Sequence, residues 1–472
     1  MPAESWRMRR KWHNSVRFAV AVVFMITAAF CIIIAPETAA GFLMFQPGPT
    51  WVKLATGGAV SGVALTVGFL LPTFLFGRFF CAVFCPLGTA QDVIGAFRPR
   101  RRTTLHNFQA VRYGVAALSL SLLAGGWAVA FRYLDPFSRF TAFVAAGKSI
   151  AGADSAPFVY GSMAGGIVPA VALAALALWK KRVFCVSLCP VGTVLGLFSR
   201  FALHRMRLRD SCSGCGVCAA ACPTGCINNG VREIDGERCV LCLRCVSICP
   251  IGSVSYTRQR NRYHGNAVAV DASRRRFLMA GAILSAGMVG AGLRLSGAIR
   301  GLARAAENPD GLILPPGAVD ADRFARRCTG CQLCAAACPV GVITPAPHGF
   351  GPVRLDYAGS GCAYDCARCG AVCPSGALHR LELADKQWLK IGEATLDKQK
   401  CRITRENAAC DLCVKACPKG AILLFDGPGG LRMPEVAAFH CIGCGACQAA
   451  CPERFAAIAV SPVEQRPMGM DF

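Results

Sequence analysis

"CSGCGVCAAACP" at 212–223 and "CVLCLRCVSICP" at 239–250 decide how this chain is read. Each is a run of C-x2-C-x2-C-x3-C-P, and the two start 27 residues apart. The spacing has a geometric reason. Three thiolates in a tight loop wrap three corners of an iron–sulfur cubane, and the fourth corner takes its ligand from elsewhere. Zinc held by C-x-x-C pairs is the competing reading. Two complete four-cysteine runs, each with a trailing proline, go beyond what a zinc site needs. Cys226 falls outside the pattern and reads as a small buried residue rather than a ligand.

The same spacing is that of the bacterial two-cluster ferredoxins, in which the fourth cysteine of each run serves the other cluster. By that rule Cys212, Cys215, Cys218 and Cys249 bind one [4Fe-4S] cluster. Cys239, Cys242, Cys245 and Cys222 bind the second.

Four more runs follow residue 320. They are Cys328, Cys331, Cys334 and Cys338; Cys362, Cys366, Cys369 and Cys373; Cys401, Cys410, Cys413 and Cys417; and Cys441, Cys444, Cys447 and Cys451. Every last cysteine precedes a proline. The second run has one extra residue after its first cysteine, and the third has eight residues between its first two. These 16 cysteines fit four further clusters with none left over. A disulfide-rich exported domain is the competing reading, and the four C-x2-C-x3-C-P endings argue against it. Two pairings stay open: neighbouring runs, or first with fourth and second with third.

The chain has 472 residues, 54% of them hydrophobic, with a mean hydropathy of +0.43. That is too apolar for an ordinary soluble protein. Four apolar runs are long enough to span a bilayer core, which needs about 20 residues: Phe18–Pro36, Leu54–Phe76, Tyr113–Phe131 and Phe158–Trp179. The net charge of +24 is bunched at their ends. Arg7, Arg9, Arg10, Lys11 and Arg17 precede the first run. Arg98 and Arg100–Arg102 lie between the second and third, and Lys180, Lys181 and Arg182 follow the fourth. This distribution follows the positive-inside rule and argues against nucleic acid as a partner. It predicts a four-span unit with both termini in the cytoplasm. No histidine lies inside a run and C-x-x-C-H is absent, which argues against b-type and c-type haem.

Two further motifs sit where the second and fourth apolar runs end: "FCAVFCPLGT" at 80–89 and "FCVSLCPVGT" at 184–193. They contribute Cys81, Cys85, Cys185 and Cys189. The six predicted clusters are complete without these four thiols. Three readings stay open: ligands of a seventh metal centre, redox or copper chemistry at soft thiolates, and cysteines at tight helix ends with no ligand role.

At 273–279 the chain reads "SRRRFLM" and continues apolar to Leu293. Arg274 and Arg275 match a twin-arginine export signal, and "ARA" at 303–305 resembles a cleavage site. A plain fifth span is the alternative. Either reading places the later residues outside the cytoplasm.

Residues 1–260 resemble NapH, the membrane quinol-dehydrogenase subunit of periplasmic nitrate reduction, and its relatives including NosR. The match rests on Cys81/Cys85-Pro86, Cys185/Cys189-Pro190 and the runs at 212–249. Residues 270–472 resemble the exported four-cluster ferredoxins NapG and MauM through "SRRRFLM" and "CRITRENAACDLCVKACPKGAI" at 401–422. The resemblance implies a multidomain fold in four parts. An α-helical four-span membrane bundle covers 1–204, and a cytoplasmic α+β two-cluster ferredoxin covers 205–260. A signal or anchor helix covers 270–305, and a periplasmic α+β four-cluster ferredoxin covers 320–472.

The expected function is iron–sulfur electron transfer in a bacterial inner membrane. Quinol from the membrane pool is the donor, and a periplasmic reductase or cytochrome is the acceptor. The rival reading is an assembly factor that sends electrons outward to reduce a metal centre or a disulfide in a partner enzyme. Proton acceptors for quinol are available at Asp92, His106 and Asp135. The two sets of clusters would stand on opposite sides of roughly 30 Å of hydrocarbon, so a diffusing quinone or a further cofactor must bridge them.

Overall fold

The computed structural model describes residues 2–38, 46–55, 59–97, 109–125, 127–151, 163–228, 233–258, 312–345, 353–426, 432–452 and 457–467. The twin-arginine segment at 273–279, the site at 303–305, His106 and the basic stretch 98–102 lie outside the described residues. The chain divides into two units. One comprises 1–30, 45–140 and 169–296, and the other 31–44, 141–168 and 297–472.

The chain opens with the helix Pro2–Ile34, of which the residues up to 30 belong to the first unit. Its portion Trp12–Ile34 has a mean hydropathy of 2.5 and is, among the described residues, the one helix long and apolar enough to cross a membrane. The four-span expectation is therefore not met by helix length. The second apolar run divides into Pro47–Ala55 and Ala59–Phe76, and ends at Gly77, whose φ of +78° stops the helix. The third gives Gln109–Ala124 and then the short helix Val129–Leu134. The fourth enters through a π-helical turn, Met163–Ile167, and continues as Val168–Trp179. Helices of 16–18 residues are about 24–27 Å long, just short of the roughly 30 Å hydrocarbon core.

The two C-x3-C-P motifs fold alike. A short helix (Phe79–Val83 or Val183–Ser187) ends two residues before a cysteine in extended conformation, which N-caps a second helix (Pro86–Ile94 or Pro190–Ser199). Proline fits the first helical position because its missing N–H has no partner there to lose. The glycine two residues later donates its N–H to the capping sulfur, Gly88 to Cys85 at 3.4 Å and Gly192 to Cys189 at 3.2 Å. A Cβ at 192 would lie 2.8 Å from the Cys185 carbonyl oxygen, so only glycine fits. Thr89 and Thr193 return their hydroxyls to the cysteine carbonyls.

The two-cluster segment packs in this same unit. It carries strands β1 (His204–Leu208), β2 (Ile227–Asn228), β3 (Glu233–Ile234) and β4 (Val254–Arg258). β1 pairs antiparallel with β4 and β2 with β3. Tyr256 Oη donates to the Phe76 carbonyl at 2.8 Å, and the His204 ring stacks on Phe76. These contacts tie the sheet to the end of helix Ala59–Phe76.

The second unit pairs β5 (Ile343–Pro345) with β6 (Val353–Leu355), β7 (Leu389–Leu396) with β10 (Ile458–Pro467), and β8 (Ile422–Asp426) with β9 (Arg432–Val436). Residues 31–44 and 141–168 belong to this unit. Lys148 Nζ donates to the Ala336 carbonyl at 2.6 Å, and Glu37 pairs with Arg368 at 3.2 Å. Two segments of the N-terminal part thus group with the last four cysteine runs.

Candidate metal centres

Each regular run curls in one way. The residues flanking its second cysteine both have positive φ: Gly214 and Gly216, Leu241 and Leu243, Gly330 and Gln332, Gly443 and Gly445. Two left-handed residues around one cysteine turn three successive thiols to the inside of the loop. Leucine and glutamine adopt this costly backbone at three of the positions, which persists only where the surroundings impose it.

In the first unit one cavity is lined by Cys212, Cys215, Cys218 and Cys249, and another by Cys222, Cys239, Cys242 and Cys245 together with Cys226. The structure brings together the two crossed quartets. In the second unit Cys334 lies in the electrostatic field of Cys331, Cys328 and Cys373, and Cys369 in that of Cys362, Cys338 and Cys366. A third cavity is lined by Cys417, Cys441, Cys444 and Cys447. Cys401, Cys410 and Cys451 share one core cluster, and Cys413 adjoins Cys410 and Cys401. The last four runs therefore pair as neighbours, first with second and third with fourth. Each pair exchanges its final cysteine.

The sites fit thiolate-bound cubanes. The final cysteine of a run accepts a backbone N–H from beyond its proline: Ser253 to Cys249 at 3.3 Å, Leu378 to Cys373 at 3.3 Å, Ala421 to Cys417 at 3.2 Å and Ala457 to Cys451 at 3.4 Å. Such donors stabilise negative sulfur. Among the described residues no three Cys, His, Asp or Glu side chains converge on a single-ion site. Zinc needs its thiolates about 2.3 Å from one point, whereas a cubane meets each thiolate at a different iron. Burial pushes the Cys331, Cys369 and Cys447 thiols up to about 12, with nearby cysteines adding to the shift at each site. Unligated, they are neutral thiols at pH 7.

Cys81, Cys85, Cys185 and Cys189 are all buried and share one core cluster. That cluster also contains Cys242, a member of the second quartet. Gln91 Nε2 donates to Cys185 Sγ at 3.3 Å. Arg78 Nη2 points at Cys81 Sγ at 3.7 Å, while its Nη1 donates to the Glu237 carbonyl at 3.1 Å. Arg182 binds the Cys81 carbonyl at 3.0 Å. Both guanidiniums are fully buried. Arg182 is neutralised by Asp92; Arg78 faces thiols and carbonyl oxygens. Burial raises the Cys85 and Cys189 thiols, and proximity to Cys185 raises both further.

The arginines are the site residues that sequence reasoning missed. Arg182 has the sequence position of a flanking charge that sets orientation, but it is buried and ion-paired. A signal was present, because arginine stands three residues before the first cysteine in both motifs, at 78 and 182. Asp92 is poorly placed as a proton acceptor. Burial alone would raise its carboxyl, but Arg182 overcomes that and holds it below the usual range. Asp135 is different. It is buried, its Oδ2 accepts from the Ser138 N–H and hydroxyl at 2.8 Å, and its Oδ1 has no hydrogen-bond partner among the described residues.

Comparison with known families agrees with these sites. The description "4Fe-4S binding domain" matches 59–104 and 162–209, which contain the C-x3-C-P motifs, and also 208–228. "4Fe-4S dicluster domain" matches 235–342, 327–377 and 408–456. The ferredoxin-type protein NapG of Escherichia coli is 31% identical over 210 residues, 40% of this chain and 86% of the relative. The methylamine utilization ferredoxin-type protein MauM of Methylophilus methylotrophus is 34% identical over 166 residues, 32% of this chain and 72% of the relative. The putative electron transport protein YccM of Escherichia coli is 22% identical over 302 residues, 57% and 82% of the two chains. No solved structure matches.

Proposed function

Because the chain belongs to the family of ferredoxin-type proteins NapG and MauM, we propose that this iron–sulfur electron-transfer protein oxidises quinol at a bacterial inner membrane and passes the electrons to a periplasmic oxidoreductase or cytochrome. Six [4Fe-4S] clusters would occupy the six cysteine quartets. When bound, each cluster carries one electron, which splits a two-electron donor into single steps.

One observation carries the reading: the four quartets of the second unit are joined in series. The two quartets of the first pair share the runs at 328–338 and 362–373. Cys362 then donates its backbone N–H to the Cys444 carbonyl at 2.7 Å, which links them to the second pair. Lys148 contacts Ala336 between Cys334 and Cys338, so a connection from the N-terminal part meets the series at its first run. The reading completes the N-terminal part as a four-span bundle, with residues 31–38 and 141–151 on the periplasmic side beside the C-terminal clusters.

The C-x3-C-P thiols would hold a seventh centre. A buried guanidinium without a carboxylate is costly, and Arg78 is one. A thiolate-ligated [4Fe-4S] cluster carries net negative charge and would neutralise it. Its place in one core with Cys242 sets it next to the second quartet.

The test is reduction of the clusters in native membranes by added menaquinol or ubiquinol, followed by electron paramagnetic resonance. Reduced-cluster signals are expected. If every cluster stays oxidised with both quinols, the quinol reading fails.

A further inference from the structure

Cys226 was expected to be a small buried residue with no ligand role. It is buried, and its surroundings are chemical. Its sulfur lies 3.4 Å from Cys222 Sγ, within sulfur hydrogen-bond distance. It also interacts with the Cys239 thiol, and it lines the second quartet's cavity alongside Cys222, Cys239, Cys242 and Cys245. Thr224 Oγ1 stands 3.4 Å from Cys222 Sγ on the same turn. The other five quartets have no fifth cysteine of this kind: the equivalent position, four residues after the final cysteine of a run, is Ser253, Val342, Ala377, Ala421 and Phe455.

The position is fixed by the fold. Cys222 follows the helix Val217–Ala221 in extended conformation, and Gly225 with φ +58° turns the chain back so that residue 226 faces the cavity. The Asp235 N–H donates to the Cys226 carbonyl at 2.8 Å, and β2 begins at the next residue. The thiol is therefore held on a pinned turn between two ligands.

We propose that Cys226 is a fifth ligand of the second cluster site, held in reserve beside Cys222 and able to replace it on the same iron. In the intact protein its S–H donates to the Cys222 thiolate. On replacement one iron–sulfur bond to residue 222 is exchanged for one to residue 226. The Cys226 thiol proton passes along the S–H···S hydrogen bond to the departing Cys222 sulfur, so no proton is released and no electron moves. The inference rests on the iron–sulfur reading of this region, which the iron content of the unaltered protein tests by itself.

The experiment uses the full chain, purified anaerobically, with iron and acid-labile sulfide counted per chain. Cys222→Ala is expected to keep the unaltered iron content. Cys222→Ala combined with Cys226→Ala is expected to lose one cluster's iron, and Cys245→Ala, which has no such reserve, to lose it alone. If Cys222→Ala loses as much iron as the double variant, the proposal is overturned. A second arm leaves all eight regular ligands in place. Cys226→Ala is expected to keep its iron but to lower the midpoint potential of one cluster, since a hydrogen bond to a ligand sulfur favours the reduced, more negative state. An unchanged potential would show that the thiol does not reach the ligand, and would equally overturn it.

Discussion

Cys362 and Cys444 belong to different pairs of quartets, yet the backbone N–H of one donates to the carbonyl of the other at 2.7 Å. The chain around this bond is packed backbone to backbone. A Cβ at Gly361 would lie 2.5 Å from the Ala446 nitrogen, and one at Gly445 would lie 2.2 Å from the Tyr357 ring. Tyr357 closes the junction by donating to the Gly443 carbonyl at 2.8 Å. Gly445 also has φ +74°, where any side chain is strained. Gly361→Val, which leaves the left-handed turn around Cys444 untouched, should push the junction open with all ligands present. The expected result is full iron content, destabilisation of about 1–3 kcal/mol and slower reduction of the far pair in freeze-quench measurements. Unaltered reduction kinetics would show that electrons do not use this junction.

Arg182 and Asp92 form a buried bidentate pair, Nε to Oδ1 at 2.9 Å and Nη2 to Oδ2 at 2.8 Å, with Arg17 at 3.6 Å from the same carboxylate. Removing Arg182 leaves the buried carboxylate compensated only by the more distant Arg17, which costs up to about 3–5 kcal/mol. Arg182→Gln should lower the yield and thermal stability of the solubilised protein sharply. Adding Asp92→Asn should recover part of the loss, because no lone carboxylate then remains. A double variant no better than the single one would mean that Arg182 acts mainly through its bond to the Cys81 carbonyl.

Arg78 separates the readings of the C-x3-C-P thiols. A negative metal centre needs the positive charge there; inert cysteines at helix ends do not. Arg78→Leu should cost one cluster's iron, whereas Arg78→Lys should retain most of it with an altered spectrum. Loss of iron in Cys81→Ala with Cys185→Ala is the companion measurement. Unchanged iron in that double variant would leave the four thiols without a centre.

What the sequence made legible was set by how local each signal is. The cysteine spacings were readable because a cluster loop is written in a dozen consecutive residues. The crossed quartets at 212–249 followed from that pattern, whereas the pairing of the last four runs depended on contacts between runs and stayed open until the structure placed Cys373 beside Cys334. The positive φ of Leu241 and Leu243 left no compositional trace, since leucine ordinarily avoids that conformation. The helix Pro136–Ala151 lies beyond the third apolar run and carries Arg139 and Lys148, so the apolar pattern does not mark it. Arg182 looked like a membrane-orienting charge because its partner lies 90 residues away. Cys226 had the opposite problem: its spacing matched no motif, and only proximity to Cys222 gave it a role.

Asp135 gives a prediction with a definite sign. Its carboxyl is raised to about 6, burial being the main cause, with hydrogen bonds from Ser138 and the charge of Arg139 only partly opposing it. An unfolded aspartate titrates near 3.9, so the folded chain holds an extra proton between about 4 and 6. The stabilisation from this neutral carboxyl is fully present below about pH 4 and is lost as the pH rises through about 6. The shift corresponds to at most about 3 kcal/mol. Thermal unfolding of the solubilised protein should thus show Asp135 opposing stability more at pH 7 than at pH 5. Asp135→Asn should flatten that slope and leave the protein at least as stable at pH 7, because the amide keeps an acceptor for Ser138 without a buried charge. The close approach of Gly48, where a Cβ would lie 2.1 Å from Oδ1, supplies the control. Gly48→Ala should destabilise the protein at every pH, since its clash does not titrate. If Asp135→Asn changes stability equally at pH 5 and pH 7, the carboxyl is already ionised at pH 5 and burial does not raise its affinity for a proton above that of an ordinary aspartate.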